Sequence, residues 1–253
     1  MNFQDKTIVI TGGGQGLGRT MAIEFAKKGA NIALIDLGEE LLAETVQLVE
    51  ATGSKAKYYI ANVAVESEVE ATFATIANDF NGIDGLVNNA GILRDGLFVK
   101  VKEGEIVSKM SLAQFQSVID VNLTGVFLCG REAAVQMIKH GNKGVIINMS
   151  SIARNGNMGQ TNYAAAKAGV VAMTTTWARE LGRHGIRVGA IAPGVIKTAM
   201  TDGMKPEMRE RLEKMKPVGR LGTAQEIAHT AQYIFENDFF TGRVVEIDGG
   251  LSM

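Results

Sequence analysis

Five of the seven residues from Gly12 to Gly18 are glycine, in the stretch TGGGQGLG that runs Thr11–Gly18. Glycine weakens strands and helices alike, yet this cluster separates an apolar run, Lys6–Thr11, from a helical pattern, Leu17–Lys28. Bare backbone at such a junction lets a second group approach the chain closely. The free N–H groups and positive dipole at a helix start make that group an anion, a phosphate above all. The junction therefore restricts the chain to folds in which a strand enters a helix through a tight, ligand-binding turn.

The rest of the chain repeats the alternation. Strands are expected at Lys6–Thr11, Asn31–Asp36, Lys55–Ile60, Gly85–Asn88, Gly144–Met149, Arg187–Ile191 and Arg243–Ile247. Helices are expected at Leu17–Lys28, Glu39–Ala51, Glu66–Asp79, Leu112–Lys139, Asn162–Arg183 and Ala224–Glu236. Strand and helix in turn imply an α/β fold: a doubly wound parallel sheet of about seven strands with helices on both faces. No linker, repeat or composition break divides the 253 residues, so residues 1–253 are read as one domain.

In that context the glycine turn cradles the pyrophosphate of a dinucleotide, with Gly12, Gln15, Gly16, Leu17 and Gly18 around it. Asp36 ends the second strand at about the spacing where a carboxylate meets the adenosine ribose. It accepts hydrogen bonds from ribose hydroxyls and repels a 2′-phosphate, and Gln15 brings no basic side chain to the loop. Both features favour NAD(H) over NADP(H).

Other function classes find little support. A formal net charge of −1 gives no general electrostatic reason to bind nucleic acid or an anionic membrane. MNFQDKTIVITGG lacks a basic region followed by a long apolar run, so no signal peptide is expected, nor does any apolar run read as a membrane span. The expected location is cytoplasmic. The single cysteine, Cys129, reads as a buried apolar residue. His140, His184 and His229 have no convergent ligands at useful spacing, so no metal site is expected.

Two segments break the rhythm. Lys100–Met110, KVKEGEIVSKM, alternates valine and lysine around Glu103-Gly104 and reads as a β-hairpin. Its position after the fourth strand places it near the ligand-binding edge, where Lys100, Lys102 and Lys109 would meet coenzyme A phosphates or an acidic carrier; a solvated hairpin or subunit contact is the plainer reading. Thr198–Gly222 is a methionine- and charge-rich insertion that reads as packing or as a mobile lid.

The glycines are spaced Thr-Gly-x-x-x-Gly-x-Gly, NNAG spans Asn88–Gly91, and Asn122 lies in VNLTG. YAAAK supplies Tyr163 and Lys167, PGVIKT spans Pro193–Thr198, and IDGG spans Ile247–Gly250. Along its whole length the chain resembles the classical short-chain dehydrogenase/reductase family, and so implies a Rossmann-type fold. The resemblance implies that Asn62 and Val63 flank adenine, although an aspartate is commoner in the first position. It places Asn88, Asn89, Ala90 and Gly91 along the middle of the cofactor, and Pro193, Gly194, Ile196 and Thr198 at the nicotinamide, whose ribose Tyr163 and Lys167 also reach. It implies that Asn122 bends its helix and holds a water in a proton relay to the lysine.

Tyr163 and Lys167, four apart on a helix, share one face. An ammonium near a phenol favours the phenolate, as does the charge of oxidised nicotinamide, and such a tyrosine exchanges a proton with a ketone or alcohol. The serine that orients the substrate oxygen is Ser150 by counting back from Tyr163 and Ser151 by matching the strand. Ser151 is preferred, since a deletion is easier in the following loop than in a buried strand. The implied catalytic set is Asn122, Ser151, Tyr163 and Lys167. GILRDGLF and MGQTNYAAAKAGV most resemble the 3-oxoacyl-thioester reductase branch, and ARELGRHGIRV the NAD-using 3-hydroxyacyl and steroid dehydrogenases. The expected function is hydride transfer between NAD(H) and a 3-oxoacyl/3-hydroxyacyl thioester of acyl carrier protein or coenzyme A. A steroid or other secondary alcohol dehydrogenase is the runner-up, and a non-catalytic NAD-binding sensor or structural subunit the reading from another class. The resemblance also implies a homotetramer.

Overall fold

The computed structural model describes residues 1–198 and 206–251. Strands β1 (Thr7–Thr11), β2 (Asn31–Asp36), β3 (Ala56–Ile60) and β4 (Gly85–Asn88) alternate with helices α1 (Gly16–Ala26), α2 (Glu39–Glu50) and α3 (Glu66–Phe80). A hairpin of β5 (Val99–Lys102) and β6 (Glu105–Lys109) follows. Next come α4 (Leu112–Ile119), α5 (Gly125–Lys139), β7 (Val145–Met149), α6 (Thr161–Leu181) and β8 (Arg187–Pro193). Helices α7 (Pro206–Lys214) and α8 (Ala224–Glu236) precede the last strand, β9 (Val244–Ile247).

Seven strands form one parallel sheet in the order β3-β2-β1-β4-β7-β8-β9. Alternate strand residues feed two separate cores, as the pleat requires. Ile8, Ile10, Ile32 and Leu34 point to the face covered by α1, α2 and α8, where Phe25, Leu42, Val49 and Phe235 pack. Val9, Ala33, Ile35 and Leu86 point to the opposite face, against Phe73 and Ile76 of α3 and Leu128, Cys129 and Met137 of α5. Burial on both faces is why these strands read as continuous apolar runs.

The stretch Leu112–Lys139 corrects one expectation. It is not one uniform helix: a π-turn at Asp120–Thr124 separates α4 from α5, with the Gly125 N–H donating to the Asp120 carbonyl. By length and composition alone it is also apolar enough to cross a membrane. Here its buried side covers the sheet instead. Helix α7 was not expected. Its sequence carries the signals nonetheless: Pro206 in the first position, Glu207 in the first turn, and the i,i+4 ion pairs Arg209–Glu213 and Glu210–Lys214. Residues 199–205 of the methionine-rich insertion lie outside the described residues.

From β1 the chain winds outward through β2 to β3, then returns so that β4 pairs on the other side of β1. Winding reverses there, and the carboxyl ends of β1 and β4 flank the crevice where such sheets hold ligands.

Candidate active site

The glycine turn leaves β1 at this crevice. Thr11 Oγ1 accepts from the backbone N–H groups of both Asn89 and Ala90, each at 3.0 Å. Asn89 Nδ2 donates back to the carbonyls of Thr11 and Gly12, at 3.1 and 3.0 Å. The two chain segments are thus fastened across the switch point. Gly18 must be glycine because a Cβ would collide with the Gly12 carbonyl. Gly16 is different: its φ is +55° and a Cβ would face open space.

That space lies at the first turn of α1, whose N-cap residue Gln15 makes no side-chain capping bond. Bare backbone, room and a helix start uncapped by any side chain together fit a pyrophosphate. Asp36 shapes the rim. Its Oδ2 accepts from the Gly14 N–H at 3.0 Å and its Oδ1 from the Leu37 N–H at 2.8 Å.

Arg19 is a contributor that sequence reasoning missed. Its guanidinium grips the Gly14 carbonyl at 2.6 and 3.0 Å and also bonds Thr45 Oγ1, the Leu41 carbonyl and Glu44. This basic side chain is therefore turned into the loop and paired with a carboxylate. Further along the rim, Asn62 Oδ1 accepts from Ala64 N at 3.0 Å, while Val63 is buried and packs beside Gly125.

Asn88 departs from its implied role along the cofactor. It is buried in the sheet, where its Nδ2 donates to Asn148 Oδ1 at 2.9 Å, and its own Oδ1 finds no partner among the described residues. Asn89, one residue on, is the amide that faces the glycine turn. Gly91 lies beside Asn122. Asn122 is fully buried in the π-turn and clamps Ile92, accepting from its N–H at 2.8 Å and donating to its carbonyl at 3.0 Å. The side chain thus positions Ile92 through one amide donor and one acceptor lone pair.

The two serines part company at the end of β7. Ser150 is buried: its N–H joins the Ile191 carbonyl at 2.7 Å, and its hydroxyl donates to the Lys167 carbonyl at 2.9 Å. Ser151 Oγ accepts from Ala153 N at 3.1 Å, and its hydroxyl lies close enough to the Tyr163 phenol to lower its pKa. Lys167 is 4% exposed; its Nζ donates to the Met149 carbonyl at 2.7 Å and lies 5.5 Å from the centre of the Tyr163 ring. Burial pulls its pKa down to about 8.

Tyr163 corrects an expectation. Burial pushes the phenol above its ordinary value and the Asp95 carboxylate adds to this, against a lowering from the Ser151 hydroxyl. The chain alone does not make Tyr163 acidic, because burial of the phenol outweighs the lowering from Ser151. Asp95 was also missed by sequence reasoning. Gln160 Nε2 donates to it at 2.9 Å, and Gln114 and Asn162 hold the neighbouring Arg94 carbonyl.

At the far end of the crevice, Gly194 N donates to the Ile247 carbonyl at 2.9 Å. The Val195 carbonyl accepts from Gly222 N at 3.1 Å and from the buried Lys216 Nζ at 3.2 Å, and Lys197 N bonds the Gly222 carbonyl. Pro193–Thr198 is thereby strapped to the residues before α8. Glycine turn, Asp36, Asn89–Gly91, Asn122, Ser151, Tyr163, Lys167 and Pro193–Thr198 all gather at the carboxyl edge of the sheet.

A family profile described as enoyl-(acyl carrier protein) reductase matches residues 12–252. The chain is 39% identical to the 3-oxoacyl-[acyl-carrier-protein] reductase FabG of Thermotoga maritima, covering 99% of both chains. The chain belongs to the short-chain dehydrogenase/reductase family. FabG of Staphylococcus aureus is 38% identical over 98% of both chains. Among solved structures, a levodione reductase superposes with a TM-score of 0.86 at 35% identity, covering 98% of each chain. As a short-chain dehydrogenase/reductase the protein is an oxidoreductase of the secondary alcohol/ketone type that uses a nicotinamide cofactor.

The serine geometry predicts a split between stability and turnover. Ser151→Ala should lower kcat/KM about 10²-fold, the effect of losing a group aimed at the reacting oxygen, with little change in urea midpoint. Ser150→Ala should retain most turnover and lose about 1 kcal/mol, one buried hydrogen bond. Steady-state kinetics alongside urea melts measure both, and the reverse ranking would assign the catalytic hydroxyl to Ser150.

Proposed function

We propose that the protein transfers a hydride between NAD(H) and a 3-oxoacyl or 3-hydroxyacyl thioester. The observation that carries the reading is the hydroxyl pair Ser151–Tyr163 beside the buried Lys167, at the same sheet edge as Asp36. A bound nicotinamide supplies the hydride. Tyr163 gives its proton to the substrate oxygen as negative charge develops there, and takes it back in the oxidative direction. Ser151 donates to the same oxygen and holds it within reach of the phenol. Lys167 contributes positive potential that favours the phenolate left behind. Asn122 positions Ile92, and with it the segment that leads to Asp95.

Asp36 supports the NAD(H) assignment, since both its oxygens lie at the rim and a 2′-phosphate there would meet a carboxylate. Arg19 does not counter that repulsion, being paired with Glu44 at 2.8 Å. The substrate class rests on the two FabG relatives, whose names specify a 3-oxoacyl group on acyl carrier protein. We further read the whole chain as one cytoplasmic domain that works as a homotetramer. Only 33% of the most apolar part of Leu112–Lys139 is buried in a single chain, which leaves an outward face for a partner helix.

The test is oxidation of NADH or NADPH against 3-oxoacyl, 2-enoyl and steroid ketone substrates. Turnover of the 3-oxoacyl thioester with NADH as the better cofactor is expected. Asp36→Ala should then narrow the NADH advantage by about 1–3 kcal/mol in kcat/KM, the value of one charged hydrogen-bond partner. Wild-type preference for NADPH would overturn the cofactor assignment. Cofactor binding without turnover of any ketone would overturn the enzymatic one.

A further inference from the structure

Among the described residues only two lysines are buried, Lys167 and Lys216, each 4% exposed. Lys167 stands beside the reacting phenol. Lys216 lies two residues beyond α7, where a buried ammonium costs free energy unless it is paired. Burial lowers its pKa, while the carboxylates of Glu213 and Asp248 act in the opposite direction. Its Nζ donates to the Val195 carbonyl at 3.2 Å, 21 residues back along the chain.

Three chain segments meet around that ammonium at the carboxyl edge of the sheet. The first leaves β8, and a Cβ on Gly194 would fall 2.7 Å from Asp248 Cα. The second leaves β9, where a Cβ on Gly249 would touch the Lys216 stem and the Gly249 carbonyl accepts from Val218 N at 3.3 Å. The third is the end of α7. There Lys216 N donates to the Glu213 carbonyl at 3.1 Å, and Gly219 N to the Lys216 carbonyl at 2.9 Å. The Lys216 backbone is thus held on both sides, and its side chain carries that anchorage to Val195.

We propose, on the reading of Pro193–Thr198 as the nicotinamide segment, that Lys216 is a positioning residue: it orders this segment before the cofactor arrives and ties it to the end of α7. The Val195 carbonyl and the Ile196 N–H share one planar peptide, so holding the first orients the second. Gly222 N also donates to the Val195 carbonyl at 3.1 Å, and Lys197 N to the Gly222 carbonyl at 2.8 Å. Those backbone bonds join the segment to the residues before α8, and Lys216 adds the join to α7. A charge-assisted bond is about twice as strong as a neutral one. A cofactor that meets a segment already held loses less freedom on binding, so the bond should appear as affinity. Ser151, Tyr163 and Lys167 keep their own contacts, so turnover at saturating cofactor should not depend on it.

Lys216→Met keeps the apolar stem and removes the charge, and the backbone bonds at Gly222 remain to hold the fold. Fluorescence titration and steady-state kinetics should give a Kd and KM for NADH raised about tenfold, the effect of losing one hydrogen bond to a charged group. The kcat should stay within about twofold of wild type, and the urea midpoint should not fall. Hydrogen exchange on wild type needs no variant: NADH should slow exchange at residues 213–219 as well as at 195–198. A lower urea midpoint with KM unchanged would leave Lys216 a purely structural role, and a lower kcat at unchanged KM would place it in the chemistry. Exchange slowed at 195–198 alone would break the tie to α7. Each of these overturns the proposal. Wild type that prefers NADPH would overturn the NAD(H) assignment alone, because the nicotinamide end is common to both, and the same outcomes then decide with NADPH. Wild type that binds neither would overturn the nicotinamide reading and the role of Lys216 with it.

Discussion

Tyr163→Phe should reduce kcat about 10³-fold or more while leaving the Kd for NADH within about twofold. The substitution removes one hydroxyl and keeps the ring, so the packing around Lys167 survives. What disappears is the phenol hydroxyl beside Ser151 that exchanges a proton with the substrate oxygen, and a positioned general acid is worth about 10²–10⁴ in rate. Because burial and Asp95 hold the free phenol above its ordinary value, the wild-type pH profile should also respond to Asp95. Asp95→Asn removes the carboxylate and keeps a hydrogen-bond acceptor for Gln160, so it should move the acid limb of the oxidative reaction, where the phenolate base is lost to protonation, to lower pH. Stopped-flow kinetics and fluorescence titration of NADH measure the first effect. Residual turnover within tenfold of wild type would mean that another group carries the proton.

What the sequence disclosed follows from the range of the forces involved. The sheet strands were legible because burial on both faces writes them as apolar runs, and β1, β2 and β4 fall within a residue of expectation. The glycine turn, Asp36 and the Tyr163–Lys167 pair were legible because their spacing is local. Arg19 was not, because its partners Leu41, Glu44 and Thr45 lie 22 to 26 residues away and only the fold brings them to Gly14. The π-turn around Asn122 has no local composition that distinguishes DVNLT from ordinary helix; it rests on the long-range clamp to Ile92. The amides Asn88 and Asn89 are adjacent and identical in type, so only the pleat decides that one enters the core and the other the crevice.

Lys167→Met should abolish turnover and yet make the protein more stable at pH 7. The wild-type ammonium is buried against the Met149 carbonyl, and burial lowers its pKa from the ordinary 10.5 to about 8. Folding therefore disfavours the charged form. Between pH 8 and 10.5 the unfolded chain binds the proton that the folded chain has released, so stability rises with pH across that window. Below pH 8 both states hold the proton and the full penalty applies; above 10.5 neither does and it vanishes. At about 1.4 kcal/mol per pKa unit the ceiling is about 3 kcal/mol. The lost bond to Met149 offsets about 1 kcal/mol of it, which leaves about 2 kcal/mol. Urea denaturation of wild type and variant from pH 6.5 to 10.5 checks the sign: the gain should be largest at the acid end and disappear towards the alkaline end. A variant less stable at pH 7, or a gain independent of pH, would show that Lys167 carries no buried-charge penalty. The expected pattern marks a residue kept for its charge at the reacting phenol, at the expense of the fold that holds it.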